Sequence, residues 1–209
     1  MVKLYAADIR QIAPNASSLV RLLDDERQTR VRALGDSSGA LRCLAAGLLL
    51  YHAFGERIHA ARFSRGTLGK PVLPGETPFN LTHAGDFAVL ALSSESVGVD
   101  LERVRPIDWR RISARYFHPG EQAHLLNSAD PLESFFWIWT LKESYVKAEG
   151  SGLSVSLGKF SILPQGEDSA HLDRGSPYLF RRFHDFPGYC LSLCGTEREA
   201  AAHVELVEF

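Results

Sequence analysis

Cysteine is scarce in this 209-residue chain: Cys43, Cys190 and Cys194 are an odd number, so one thiol stays unpaired in any pairing scheme. Cys190 and Cys194 share a strand face four residues apart, but nothing nearby completes a metal site. That usage argues against a disulfide framework and a zinc finger, and the expected compartment is the reducing cytoplasm. Long apolar runs are also missing, because Cys43 to Tyr51 falls far short of the roughly 20 residues a bilayer span needs. The opening from Met1 to Ala6 lacks the basic, apolar, small-residue order of a signal peptide, so no membrane association is expected. Neither sign of charge dominates: 23 Lys and Arg face 25 Asp and Glu, for a net charge of -2. Binding to nucleic acid by phosphate neutralisation is therefore not expected, although a local basic pocket stays open.

What is present is ordinary globular composition, with 45% hydrophobic and 23% charged residues. The length suits one domain or two small joined lobes. Val2 to Asp8 reads as a strand, and Ser17 or Ser18 caps a helix running to about Leu34. A second helix spans about Gly39 to Phe54, with Leu41, Leu44, Ala45, Leu48 and Leu49 on its apolar face and Arg42 off it. Taken alone, Arg42 is a solvated helix charge. Prolines at 71, 74 and 78 make Gly66 to Pro78 an extended, turning passage. Phe79 to His83, Phe87 to Ser93 and Val97 to Glu102 read as strands. Helices follow over Asp108–Phe117, Pro119–Leu126 and Pro131–Ala148, the last closed by Gly150-Ser151-Gly152, and strands then fill Phe160 to Val207. The pattern is α+β.

Two stretches carry chemistry. Along Val97-Gly98-Val99-Asp100-Leu101-Glu102 the side chains alternate, so Asp100 and Glu102 share one face about 7 Å apart. That spacing suits joint binding of a hard cation; alone, it also fits a solvated edge strand. In the last long helix, Leu132, Phe135, Phe136 and Trp139 form a buried stripe whose continuation reaches Glu143 and Val146, bordered by Lys147. A glutamate on such a stripe is costly unless paired or metal-bound. The plain alternative is a surface Glu143–Lys147 pair worth about 0.3–0.5 kcal/mol. Three carboxylates without clustered Cys or His favour Mg²⁺, which completes its shell with water and substrate phosphate. A phosphate-bearing substrate follows, with Lys147, His83, Lys70 and Arg42 as candidates to meet its remaining charge. His83 also reads as a capping or core histidine.

The run Gly69-Lys70-Pro71, Phe79-Asn80-Leu81-Thr82-His83, Val97 to Glu102, Trp139 to Lys147 and Gly150-Ser151-Gly152-Leu153 resembles the 4′-phosphopantetheinyl transferases of the surfactin-synthetase-activating type. Each motif is weak alone, and their order is specific. The resemblance implies two similar α+β lobes with pseudo-twofold symmetry, over 1–100 and 101–209, with coenzyme A in the cleft between them. It implies transfer of the phosphopantetheine arm to a serine of an acyl or peptidyl carrier protein by a monomeric enzyme. On it, Asp100, Glu102 and Glu143 hold Mg²⁺, and Arg42, Lys70, Pro71, Thr82, His83 and Lys147 bind coenzyme A. Glu143, Lys147 and His83 are then the catalytic groups, with Glu143 or a metal-bound water as base. Ala84 departs from the serine common there, and Arg27, Arg30 and Arg32 stand where relatives use lysines toward the 3′-phosphate. The arginines from Arg103 to Arg115, with Trp109, Tyr116 and Phe117, read either as solvated charge or as a landing surface for an acidic carrier helix. Two other readings are a phosphohydrolase that gives the same pyrophosphate to water and a non-catalytic carrier-binding module.

Overall fold

In the computed structural model, all residues are described except 61–62, 66–70, 151–155, 174 and 198–202. The chain begins with β1 (Lys3–Asp8) and two short helices, α1 (Ile9–Ile12) and α2 (Ala16–Leu19). Helices α3 (Asp25–Leu34), α4 (Ser38–Phe54) and α5 (Arg57–Ala60) follow. Strands β2 (Ser64–Arg65), β3 (Pro71–Val72), β4 (Phe79–Ala84), β5 (Phe87–Leu92) and β6 (Val97–Arg103) come next. Then come α6 (Trp109–Tyr116), α7 (Pro119–Asn127) and α8 (Pro131–Glu149). Strands β7 (Ile162–Gln165), β8 (Ser169–Leu172), β9 (Leu179–Phe183), β10 (Tyr189–Gly195) and β11 (Glu205–Leu206) complete the chain.

Two sheets carry the architecture. One has the order β11-β1-β5-β4, and the other is β6-β10-β9. Helix α4 buries Leu44, Leu48 and Leu49 against Ala7, Ala88 and Leu90 of the first sheet. Helix α8 buries Ile138, Leu141 and Tyr145 with Cys190 and Cys194 of the second. Between the sheets lie Leu4, Ala6, Val89 and Ala91 from one side and Val97, Val99, Leu101, Leu191 and Leu193 from the other. The layers therefore run helix, sheet, sheet, helix, and the expected α+β class is what the structure has.

The alternation of β6 resolves as expected on one face. Val97, Val99 and Leu101 enter the intersheet core, while Gly98 and Asp100 face α8 and are buried as well. At Gly98 a Cβ would stand 2.0 Å from the Ser144 carbonyl oxygen and 2.5 Å from the Ala148 nitrogen, both backbone atoms of α8. Only a residue without a side chain lets helix and strand approach this closely.

Two expectations need correcting. The helix from Ser17 to Leu34 is interrupted: Leu23 is extended, with φ -87° and ψ 157°, and α3 starts afresh. Asp24 explains the break, because its side chain accepts from the Arg27 amide and caps a new helix while Leu23 turns into the core. The stripe on α8 is also broader than one face, since Trp137, Ile138, Thr140, Leu141, Ser144 and Tyr145 are all buried. That helix is enclosed by the sheet on one side and by α6, α7 and the β7 region on others, so a one-sided period underestimates its burial. Its end matches expectation: Gly150 caps it at φ 74° in the left-handed region, and Ser151, Gly152 and Leu153 lie outside the described residues.

Gly98→Ala should displace α8 from β6 and destabilise the protein by about 1–3 kcal/mol. A lowered thermal midpoint in calorimetry is the expected reading; an unchanged one would mean that the contact yields freely.

Candidate functional site

Strands β4 and β6 belong to different sheets, yet they lie side by side, and side chains of β4 join them. Asn80 Oδ1 accepts from the Val99 amide at 2.8 Å, and Thr82 Oγ1 accepts from the Leu101 amide at 3.3 Å. Thr82 Oγ1 also donates to Asp100 Oδ1 at 3.3 Å. The same Asp100 oxygen receives Lys147 Nζ from α8 at 2.6 Å, and that ammonium also donates to the Val99 carbonyl at 3.1 Å. Asp100 is 6% exposed, and its Oδ2 has no hydrogen-bond partner among the described residues.

Glu102 and Glu143 stand half-buried beside it. Burial pushes the Asp100 carboxyl above the usual carboxylate range, against the pull of Lys147, Thr82 and the Leu101 amide. Glu102 is raised by burial and then by the Asp100 charge, with a further push from Glu143 and opposition from Arg105 and Lys147. Glu143 is raised by burial and by Asp100, and Lys147 opposes. These carboxylates share one field and disfavour each other's ionisation, the condition a divalent cation relieves. As the side chains lie, no three His, Cys, Asp or Glu among the described residues converge into a ligating cluster. Lys147 occupies Asp100 Oδ1.

A cavity of about 440 Å³ opens on the other side of β4, between α3, α4 and Pro71. It is lined by Arg27, Arg30 and Arg42 with Cys43, Leu81 and His83. Arg42 therefore leaves the apolar face of α4 for a cavity and is not merely solvated; its Nη1 donates to the Gly85 carbonyl at 3.3 Å. Its sequence alternative, a solvated helix charge, does not describe that placement. His83 retains solvent contact at the cavity wall. The protein around its imidazole, and then Arg42, Lys147 and Arg30, press its pKa below the ordinary 6.5. Lys70 lies outside the described residues.

Sequence reasoning left three groups unassigned. Arg30 and Arg27 reach the cavity because they recur at three-residue spacing on one face of α3, and that spacing is visible in the sequence. Asn80 had no such signal, since its task depends on which strand lies beside it. Lys142 and Glu121 form a fully buried ion pair at 2.6 Å, and nothing in the heptad-like pattern of α8 marks a buried lysine. Of the apolar anchors expected on the basic surface, Tyr116 is exposed and Trp109 half-buried, but Phe117 is 3% exposed and stacks on Phe135 at 5.1 Å. Phe117 belongs to the core and cannot meet a partner.

A buried acidic group and a guanidinium-lined cavity thus lie on the two sides of β4. Residues 96–194 match the family model of the 4′-phosphopantetheinyl transferase superfamily. The 4′-phosphopantetheinyl transferase Sfp of Bacillus subtilis (strain 168) is 32% identical over 155 residues, covering 71% of this chain and 69% of that protein. The 4′-phosphopantetheinyl transferase ffp of Bacillus subtilis is 27% identical over 202 residues, covering 91% and 90%. Among solved structures, the holo-[acyl-carrier-protein] synthase of Thermotoga maritima aligns with TM-score 0.42 and 20% identity over 50% of this chain and 64% of that one. The chain belongs to the 4′-phosphopantetheinyl transferase superfamily.

The depressed His83 pKa has a measurable sign. Its stabilising effect is complete above the ordinary pH of 6.5 and is lost as pH falls through the lower folded value. In an NMR titration His83 should titrate below 6.5 and move back toward it in Arg42→Ala; a midpoint above 6.5 would mean that the cavity's positive field does not reach the ring.

Proposed function

We propose that the protein transfers the 4′-phosphopantetheine arm of coenzyme A to a serine of an apo acyl or peptidyl carrier protein, releasing adenosine 3′,5′-bisphosphate, with Mg²⁺ as cofactor. The observation that carries this reading is the seam at Thr82, Asp100 and Lys147. It sets the acidic group of β6 and α8 beside His83 and the arginine-lined cavity. In this reading the chain divides into lobes over 1–100 and 101–209, the site lies between them, and the enzyme works as a monomer in the cytoplasm.

Asp100, Glu102 and Glu143 would hold the metal. The partnerless, buried Asp100 Oδ2 and the mutually raised carboxyl groups fit a divalent cation. When bound, Mg²⁺ would neutralise the pyrophosphate charge and help orient it for in-line attack. The chain's own residues do the rest. Arg30, Arg42 and Lys70 receive the charged nucleotide end, with Pro71 and Thr82 bordering it. His83 and Lys147 contact the bridging phosphates, and Lys147 leaves Asp100 Oδ1 to do so.

The carrier serine oxygen forms a bond to the phosphorus at the pantetheine end. The pyrophosphate P–O bond at that phosphorus breaks, and the electron pair leaves on the nucleotide phosphate. The serine proton would pass to Glu143 or to a water; burial and the Asp100 charge raise the Glu143 carboxyl above its ordinary value. Catalysis of this kind rests on positioning and charge neutralisation. On the carrier side, Arg110 and Arg111 are exposed and Trp109 lies beneath the Arg110 guanidinium at 4.3 Å, a surface suited to an acidic helix.

Incubation with coenzyme A, Mg²⁺ and an apo carrier should add one phosphopantetheine mass to the carrier and release the bisphosphate in equal amount. Nucleotide released at the same rate without carrier would favour hydrolysis instead. Asp100→Ala should lower the transfer rate by at least about 10²-fold and abolish the thermal stabilisation by Mg²⁺ with coenzyme A; a retained Mg²⁺ shift would remove Asp100 from the metal site.

Charge reversal of Arg110 and Arg111 to Glu is a separate test of the docking surface. The KM for carrier should rise about tenfold or more while that for coenzyme A holds. Equal changes in both would reject docking there.

A further inference from the structure

The Glu121–Lys142 pair takes no part in the chemistry above, and both side chains are 0% exposed. Lys142 Nζ donates to Glu121 Oε1 at 2.6 Å and to the Phe160 carbonyl at 2.8 Å, and it lies 4.2 Å from the centre of the Phe160 ring. Glu121 Oε1 also accepts from the Ile162 amide at 2.8 Å, and Oε2 accepts from the His118 amide at 2.8 Å. One carboxylate thus ties together the N-terminus of α7, the middle of α8 and the first residue of β7.

Stability alone does not account for such a pair. Apolar residues of similar volume often replace a buried ion pair at no cost. What it adds is direction, because charged hydrogen bonds tolerate less displacement than apolar contacts. Lys142 directly precedes Glu143, and Lys147 follows on the next turn of the same helix. At Gly98 the helix backbone rests against β6 with no room for even a methyl group. A rotation of α8 by about 10° would move a side chain lying about 5–6 Å from its axis by about 1 Å. A misplacement of that size at a reacting centre costs about 10²-fold in rate.

We infer that Glu121 and Lys142 are positioning residues for transfer: they fix the rotation and height of α8 so that Glu143 and Lys147 stay aimed at Asp100 and Glu102. The inference rests on the phosphopantetheinyl transfer reading. It places the constraint on the face of α8 away from the reacting groups, while the arginine-lined cavity belongs to α3, α4 and β4 and stands apart from it. The rate of transfer and the Mg²⁺ requirement should therefore respond to the pair more strongly than coenzyme A affinity, which α8 supports through Lys147 alone.

The double variant Glu121→Gln/Lys142→Met removes both charges and keeps volume. The expected result is a folded protein whose dissociation constant for coenzyme A without Mg²⁺ changes less than about threefold. Its kcat should fall about 10- to 100-fold, and the Mg²⁺ concentration giving half the maximal rate should rise. A folded double variant with kcat within about threefold of wild type overturns the inference. So does a parallel loss of kcat and coenzyme A affinity, which would mark general loosening. Should that variant not fold, Glu121→Asp keeps both charges, shortens the reach by one methylene and is judged by the same split. If the wild-type protein itself modifies no apo carrier in this assay, the transfer reading fails, and the positioning role fails with it.

Discussion

The structure depends on how the edges of two sheets are satisfied where they meet without pairing. β6 lies beside β4, but its Val99 and Leu101 amides go to the side chains of Asn80 and Thr82 instead of to a backbone ladder. A backbone pairing would have fused the sheets and left no space at the joint. Side-chain acceptors hold the strands apart by the length of a side chain while leaving no buried amide orphaned. Asp100 and Thr82 stand in that separation, and Lys147 reaches it from α8. The polar seam is thus also where Asp100, Thr82 and Lys147 meet, the groups to which the proposed transfer assigns its chemistry.

Much of the scaffold was legible in sequence because its elements obey one period at a time. β4, β5 and β6 fall where strands were expected, and Leu44, Ala45, Leu48 and Leu49 of α4 are buried as its apolar face predicted. The Asp100–Lys147 ion pair joins the two stretches singled out in the sequence, while the metal role expected of Asp100, Glu102 and Glu143 belongs to the proposal. The break at Leu23 was not legible, since Asp24 competes as a helix cap only once Leu23 has a core to enter. Phe117 was misplaced for a related reason: it ends a strongly basic helix, and only the packing of Phe135 against it reveals which way it faces. The Glu121–Lys142 pair was invisible because burial of an ion pair is settled by three separate elements meeting, not by any local pattern.

The electrostatics follow from the packing. Cys190 sits opposite Glu102 in the β6–β10 register, and burial drives its thiol up to about 12, so it remains a neutral neighbour of the acidic group. The cavity has the opposite character, with Arg30 and Arg42 among the positive charges that His83 feels. A single strand, β4, separates a region that repels further negative charge from one that draws it.

One clasp at the far end of the β4–β5 hairpin has a consequence for motion. Tyr189 of the second sheet accepts from the Asp86 amide at 3.0 Å, and its ring fills the space beside Gly85. Ser93, at the other end of β5, donates to Glu197 at 2.7 Å beyond β10. With the seam between β4 and β6, these contacts tether the sheets at both ends of one hairpin. Loss of either clasp alone would leave the sheets joined at the other end.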